Sequence, residues 1–124
     1  MCRMLLSINP EYVQKIFAGT KKYEFRKVRC RSDVDSILIY ETAPTMKVVG
    51  EAKIKRIITG TLSEIWQETK SSSGIKKSFF DLYYRNRKCA VVYELEEVTR
   101  YAVPQNLNSY GISQAPQSFR YIYG

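Results

Sequence analysis

The segment 19–26, which reads Gly-Thr-Lys-Lys-Tyr-Glu-Phe-Arg, constrains the fold more than any other stretch of this chain. Charged and aromatic side chains alternate along it, and a period of two is typical of a half-buried β-strand. One face of such a strand carries Lys22, Glu24 and Arg26, and the other carries Lys21, Tyr23 and Phe25. Gly19 suits the left-handed residue that ends a helix. The segment therefore predicts a helix that stops, a turn, and a strand with an acid and a base on one face.

The rest of the chain predicts strands and short helices in alternation. A buried strand over residues 4–8 is followed by a helix start at Asn9, a residue type that caps helices, and Pro10 suits the first turn. Further strands are predicted over residues 34–42, 48–58 and 88–98. Two short helices fall between the last two of these strands, one ending at Thr69 and the other spanning residues 75–84.

The segments around these elements are predicted in less detail. Residues 71–74, which read Ser-Ser-Ser-Gly, predict a flexible turn. In the helix that follows, we expect an inward face made of Phe79, Phe80, Leu82 and Tyr83. Beyond Pro104 we expect an irregular tail in which Tyr121 and Ile122 close the sheet. Periodicity alone leaves two architectures open, a small barrel and an open α+β sheet.

The chain is strongly basic, with 20 Lys and Arg residues against 12 Asp and Glu residues and a net charge of +8. The basic residues cluster in two places. One cluster comprises Lys15, Lys21, Lys22, Arg26, Lys27, Arg29 and Arg31, and the other comprises Lys76, Lys77, Arg85, Arg87 and Lys88. Such density favours a polyanionic partner, nucleic acid first and an acidic membrane surface second. The alternative is a basic protein whose charged faces are simply solvated.

The composition also excludes several kinds of chemistry. The chain has no histidine, which excludes Ser-His-Asp triads, Cys-His pairs and zinc sites with mixed ligands. Three scattered cysteines indicate reduced thiols. No apolar run approaches the roughly eighteen residues of a membrane span, and the apolar N-terminal stretch is too short for a signal peptide. We therefore expect a cytoplasmic protein with no metal, no cofactor and no membrane partner.

The octet 19–26 resembles the signature of the ASCH family of the PUA-like superfamily, Gly-x-Lys-x-x-Glu-x-Arg. Its fixed places are filled by Gly19, Lys21, Glu24 and Arg26. Shorter blocks at 5–12, 37–44, 48–52 and 116–121 are similar to further parts of that family, so the resemblance spans most of the chain. It implies a single α+β domain over residues 1–124. It also implies that the domain is a small, mostly antiparallel β-barrel with about three short flanking helices.

The resemblance also implies a small electropositive cleft beside the barrel, sized for a nucleotide. We expect Lys21 at its rim, with Lys21 and Arg26 holding a phosphate or a base carbonyl. Glu24 would either orient one of these cations or accept a hydrogen bond from an exocyclic amine of a base. The full set of expected binding residues is Lys21, Lys22, Glu24, Arg26, Lys27, Tyr40, Thr42, Gln117 and Ser118. For Tyr40, stacking on a base and packing in the core are both open, and from the pattern alone the charged residues also fit a surface ion-pair network.

Two functions follow from this interpretation. The first is a module that binds RNA or another single-stranded nucleic acid, or a nucleotide, with a regulatory role in RNA metabolism or transcription. The alternative is a hydrolase acting on RNA or on modified nucleosides, with Lys21, Glu24 and Tyr40 as candidate catalytic groups. Ribonuclease activity has been attributed to ASCH domains, and the resemblance implies Lys21 and Tyr40 as the catalytic candidates for it here. The amidohydrolases of the family that act on acetylated cytidine carry a threonine where this chain has Glu24, and a carboxylate cannot replace that hydroxyl.

Overall fold

The computed structural model describes residues 2–123, which form an α+β fold with a six-stranded sheet and three α-helices. The strands are β1 (Cys2–Ile8), β2 (Tyr23–Arg26), β3 (Val34–Glu41), β4 (Lys47–Thr61), β5 (Cys89–Gln105) and β6 (Phe119–Tyr123). The helices are α1 (Pro10–Ala18), α2 (Leu62–Thr69) and α3 (Lys77–Tyr83). Short 3₁₀ turns lie at Lys70–Ser72 and Leu107–Tyr110. No helix in the described part of the chain is long and apolar enough to span a bilayer.

The sheet has the order β2-β5-β4-β3-β1-β6, with β1 and β3 parallel and every other neighbouring pair antiparallel. A closed barrel would require the two edge strands, β2 and β6, to pair. Within residues 2–123 no ladder joins them, so the predicted barrel is not confirmed. A side chain spans the gap instead. Arg26 at the end of β2 donates hydrogen bonds to the carbonyl of Ser7 in β1 and to the hydroxyl of Ser118 beside β6.

The central strands are buried on both faces, which explains their continuous apolar runs. On one face, Met4, Leu6 and Ile8 of β1 pack with the α1 residues Val13 and Ile16. On the other face a second cluster comprises Leu5, Leu38, Tyr40, Val48, Ile112 and Ile122. A third cluster attaches α2 and α3 to β2 and β5, and it comprises Phe25, Ile65, Phe80, Tyr84, Ala90 and Val92. This third cluster fixes α3 beside β2.

Some helix ends follow local sequence signals, whereas Asn9 lies at the predicted N-cap of α1 and its side chain makes no capping hydrogen bond. Gly19 ends α1 with a left-handed φ of 85°, as predicted. Thr61 begins α2 through a capping box, in which its hydroxyl accepts from the Glu64 backbone N–H and the Glu64 carboxylate accepts from the Thr61 N–H.

The inward face predicted for the third helix is partly wrong. Phe80 and Tyr84 face inward, one helical turn apart, whereas Leu82 is 63% exposed and Phe79 is 40% exposed. The preceding strand is longer than predicted, because β5 continues to Gln105. In the tail, Tyr121 and Ile122 complete the sheet as predicted, within the edge strand β6 that pairs with β1.

Candidate functional site

A cavity of about 190 Å³ opens beside β2, between α1 and α3. We call it the Lys21 cavity. It is lined by Ser7, Ile8, Asn9, Tyr12, Lys21, Glu24, Phe25, Arg26, Ile75, Phe79 and Tyr83. The end of β1 and the start of α1 form one side, and the loop before α3 together with α3 forms the other. The three charged residues of the octet signature, Lys21, Glu24 and Arg26, therefore meet in one concave site.

Lys21 lies buried in this cavity rather than at its rim, with only 3% of its surface exposed. Its Nζ donates a hydrogen bond of 2.9 Å to the Ser73 carbonyl and lies 4.9 Å from the ring centre of Phe25 and 5.4 Å from that of Tyr12. Burial lowers the pKa of Lys21 to about 8, although the nearby Glu24 carboxylate opposes the shift. The Lys21 ammonium therefore loses its proton near pH 8.

The loop that joins α2 to α3 holds the stem of Lys21 in place. Gly74 has a φ of +73°, and a Cβ at this position would lie 2.5 Å from Cβ and 2.6 Å from Cγ of Lys21. The Lys15 ammonium donates to the Gly74 carbonyl at 3.1 Å, and the Lys22 backbone N–H donates to the Ser72 carbonyl at 2.9 Å. The predicted flexible turn is thus tied to α1 and to the segment before β2 by successive hydrogen bonds.

Glu24, which is buried, and Arg26, which is partly exposed, form an ion pair in the floor of the cavity. Oε2 of Glu24 accepts two hydrogen bonds from Arg26, at 3.0 Å from Nε and 2.6 Å from Nη2. With its further bonds to Ser7 and Ser118, Arg26 uses four of its five N–H donors inside the protein. Arg26 therefore positions Glu24 and spans the edge strands, and it has one donor left for a ligand.

The second oxygen of Glu24 is available to a ligand. Its Oε1 lies 4.0 Å from Lys21 Nζ and accepts no hydrogen bond from residues 2–123. An ammonium donor and a carboxylate acceptor thus lie side by side in a half-enclosed space. In the part of the chain that the structure describes, acidic and thiol side chains form no group of three that could ligate a metal. The polar groups of the cavity suit a ligand that both donates and accepts hydrogen bonds.

Three aromatic rings form the wall above these charges. The rings of Tyr12 and Phe79 lie 5.6 Å apart, and those of Phe79 and Tyr83 stack at 6.3 Å with an angle of 9° between their planes. Burial raises the pKa of both Tyr12 and Tyr83, so both phenols are neutral at physiological pH. Such neutral rings offer flat apolar faces to a planar ligand.

The other predicted site residues lie at increasing distance from the cavity. Ser118 is connected to it through its hydrogen bond with Arg26, and Thr42 through its backbone N–H, which donates to the carbonyl of Ile8. Lys27 is exposed, and its Nζ lies 4.7 Å from the ring centre of Tyr83. Lys22 and Gln117 do not line the cavity, since Gln117 is exposed and Lys22 borders a separate groove.

Tyr40 does not line the cavity either. It is 2% exposed and packs with Leu38 and Val48 in the second apolar cluster. The alternation of β3 explains this placement, because Ile37 and Ile39 face the α1 side of the sheet, whereas Leu38 and Tyr40 face away from it. Of the two alternatives for Tyr40, core packing holds.

Sequence reasoning missed the aromatic wall and the covering loop. Tyr12, Phe79 and Tyr83 occur at helical spacing with other apolar residues, a pattern that indicates core packing. Gly74 was the available signal for the loop, because a glycine after three serines marks a position of special backbone geometry. Nothing in the sequence indicates that this glycine packs on Lys21.

Comparison with known proteins identifies a matching family and distant relatives. The sequence profile of the ASCH domain family matches residues 6–99. The large ribosomal subunit protein uL22 of Ureaplasma parvum is 30% identical over 120 residues, which cover 96% of this chain but only 39% of that protein. An ASCH domain-containing ribonuclease of Zymomonas mobilis is 24% identical over 94 residues, covering 75% of this chain and 64% of the ribonuclease.

A solved structure shows the same fold. The crystal structure of ASCH from Zymomonas mobilis superimposes with a TM-score of 0.88 at 24% identity, covering 98% of this chain and 87% of that one. Its α+β architecture therefore matches the architecture described above.

Proposed function

This chain belongs to the ASCH domain family, and on that premise we propose that the Lys21 cavity binds one unpaired nucleotide of RNA. One observation carries the proposal: a buried ammonium and a carboxylate form the floor of a cavity whose wall consists of aromatic rings. Proteins recognise single-stranded RNA by stacking splayed bases on aromatic side chains and by hydrogen bonding to the edges of those bases. The ribonuclease relative and the net charge of +8 support RNA as the polymer.

The size of the cavity favours a single base. Pockets for drug-sized ligands measure roughly 300–1,000 Å³, and this cavity is smaller, at about 190 Å³. A duplex cannot enter such a space, because its bases are stacked and paired. A flipped or unpaired base can lie against the wall formed by Tyr12, Phe79 and Tyr83.

The polar groups in the floor favour a base edge that carries both a donor and an acceptor. Glu24 Oε1 accepts from an exocyclic amine or a ring N–H, and the Lys21 ammonium donates to a neighbouring carbonyl. Guanine and uracil present a ring N–H beside a carbonyl on their Watson–Crick edges, which suits this pair of groups. Glu24 and Lys21 therefore read the base, and Arg26 fixes the orientation of Glu24.

The aromatic wall provides a direct test of this function. Phe79→Ala removes a ring of the wall, and Leu82→Ala removes an exposed apolar side chain of the same helix outside the cavity. Base stacking contributes about 1–3 kcal/mol per base, so Phe79→Ala should weaken binding of a single-stranded RNA octamer by about 5- to 150-fold. Leu82→Ala should leave the affinity unchanged. Equal affinities of the two variants, measured by fluorescence anisotropy, would contradict the proposal.

A second candidate function, cleavage of the bound RNA, is supported by the low pKa of Lys21. A base of pKa near 8 is suited to proton transfer at cellular pH. In this alternative the ribose, and not the base edge, would lie against Lys21. Neutral Lys21 would take the proton of the ribose 2′-hydroxyl, and that oxygen would attack the adjacent phosphorus. The 5′-oxygen of the next nucleotide would leave and take a proton from solvent. Only RNA carries the 2′-hydroxyl, so DNA would be inert.

End-labelled RNA distinguishes binding from cleavage. If Lys21 is the base, fragments should form at a rate that rises with pH through about 8, and Lys21→Met should form none. DNA of the same sequence serves as the control, since it can bind without reacting. Binding without fragments, or fragments that Lys21→Met still forms, would exclude this chemistry and leave the binding function alone.

A further inference from the structure

Two basic segments of the chain meet at one end of the β2–β5 ladder. Arg26 is opposite Val91 in this antiparallel ladder, so the residues after Arg26 and the residues before Val91 leave it at the same end. Both segments are rich in exposed cations. We call this set the cationic strip, and it comprises Lys27, Arg29, Arg85, Arg87 and Lys88.

The strip adjoins the Lys21 cavity at Tyr83. The Lys27 ammonium lies 4.7 Å from the centre of the Tyr83 ring, and that ring lines the cavity. The hydroxyl of the next residue, Tyr84, donates a hydrogen bond of 2.8 Å to the Arg26 carbonyl. The Tyr84 carbonyl accepts a hydrogen bond of 2.9 Å from the backbone N–H of Arg87. Burial raises the pKa of Tyr83, and the positive charges of Arg26 and Arg87 oppose that rise. Tyr83 thus separates the floor of the cavity from the strip.

The cations of the strip are not neutralised by neighbouring acids. None of the five forms an ion pair within residues 2–123, whereas three of the four cations on β4 are paired with acids. Lys53 pairs with Glu97, Lys55 with Glu94, and Arg56 with both Glu68 and Glu94. The strip therefore presents five positive charges beside the cavity that no described acid neutralises, whereas Lys53, Lys55 and Arg56 of β4 are neutralised by acidic partners.

We propose that the cationic strip binds the phosphodiester groups that flank the nucleotide in the Lys21 cavity. The ligand is then an internal position of a single-stranded RNA and not a free nucleoside or nucleotide. The base stacks on the inner side of Tyr83, and the backbone passes over the outer edge of the ring to Lys27 and Arg87. This inference rests on the proposed function, because it requires that a nucleotide occupies the cavity.

Paired charge removal tests the inference. Arg87→Gln with Lys88→Gln removes two charges from the strip, and Lys53→Gln with Lys55→Gln removes two charges from β4. For a single-stranded RNA octamer, each lost phosphate contact lowers the slope of log affinity against log salt by about 0.7. We expect the strip variant to lose about 1.4 in slope and about tenfold in affinity near 0.1 M salt. The β4 variant should match the wild type, and binding of the four free nucleosides, followed by NMR, should be unchanged in both.

The outcomes separate this inference from the proposed function. One outcome is that Phe79→Ala weakens binding of the octamer while the strip and β4 variants bind it equally. This outcome would overturn the role of the strip and would leave the proposed function of the cavity intact. Octamer binding that depends on the strip but not on Phe79 would show that the strip acts without the cavity, which also overturns the inference. If the wild-type protein does not bind the octamer, both fail. All four substituted residues are exposed, and urea unfolding of each variant checks that the fold is preserved.

Discussion

Replacing Gly74 by alanine should displace the buried lysine of the site. At Gly74 the new Cβ would lie 2.5, 2.6 and 2.8 Å from Cβ, Cγ and Cδ of Lys21. These are the first three side-chain carbons, so rotation of the ammonium end cannot relieve the contact. Either the loop or the whole side chain must move, and either movement breaks the hydrogen bond between Lys21 and the Ser73 carbonyl.

Gly111 provides a matched control for the backbone. Its φ is also +73°, and nothing lies within 4 Å of a Cβ at that position. A left-handed conformation costs a residue with a side chain about 1–2 kcal/mol, so Gly111→Ala should lower the free energy of unfolding by that amount. Gly74→Ala should lose the same amount plus about 1–3 kcal/mol for overpacking. The difference between the two variants isolates the contact with Lys21.

Two measurements check this prediction. Urea unfolding gives the free energies, and NMR of protein labelled at the lysine side chains gives the pKa of Lys21. In the wild type and in Gly111→Ala we expect this pKa to be about 8, because burial is unchanged. In Gly74→Ala it should rise towards the ordinary value for lysine, since the ammonium regains water. Equal stabilities and an unchanged Lys21 titration in both variants would refute the assignment of Gly74 as the support for Lys21.

Three further predictions concern stability. Lys21 binds its proton more weakly in the folded protein than in the unfolded chain, because its pKa is lowered to about 8. Between about pH 8 and 10 the unfolded chain therefore holds more protons than the folded protein. The free energy of unfolding should rise with pH over this range, by at most about 1.4 kcal/mol per pH unit. Lys21→Met should flatten this rise in urea unfolding, and a rise that persists in the variant would exclude Lys21 as its source. Thr61→Ala removes the capping box of α2 and should lower the free energy of unfolding by about 1 kcal/mol. RNA affinity, measured by anisotropy, should not change. A loss of affinity would contradict the separation of α2 from the site. Arg26→Lys keeps the positive charge but loses the planar guanidinium that holds Glu24 by two hydrogen bonds. We expect the free energy of unfolding, measured by calorimetry, to fall by about 1–3 kcal/mol. Full stability of the variant would show that the two hydrogen bonds are dispensable.

The sequence predicted the local parts of the fold and the charged part of the site. Gly19 marks the end of α1 because its signal acts within one turn of the helix. The period-two alternation placed Glu24 and Arg26 on one strand, and their side chains do meet. Such features depend on neighbours only a few residues away.

Features that depend on distant contacts could not be predicted in this way. Lys21 precedes β2, and its burial depends on Ser73 and Gly74, more than 50 residues along the chain. β3 is apolar on both faces, so its pattern does not show which way Tyr40 points. Closure of the sheet depends on whether two edge strands meet, and a side chain, that of Arg26, joins them here.

NMR of the ten tyrosines during RNA titration tests the central claim most directly. Tyr12 and Tyr83 line the Lys21 cavity, whereas Tyr40 and Tyr101 belong to the apolar cluster on the opposite face of the sheet. With ¹³C-labelled tyrosine and a saturating single-stranded RNA octamer, we expect the ring signals of Tyr12 and Tyr83 to shift upfield as a base stacks on them. The signals of Tyr40 and Tyr101 should not move. Unchanged Tyr12 and Tyr83 signals in the presence of bound RNA would contradict the claim that the Lys21 cavity holds a nucleotide.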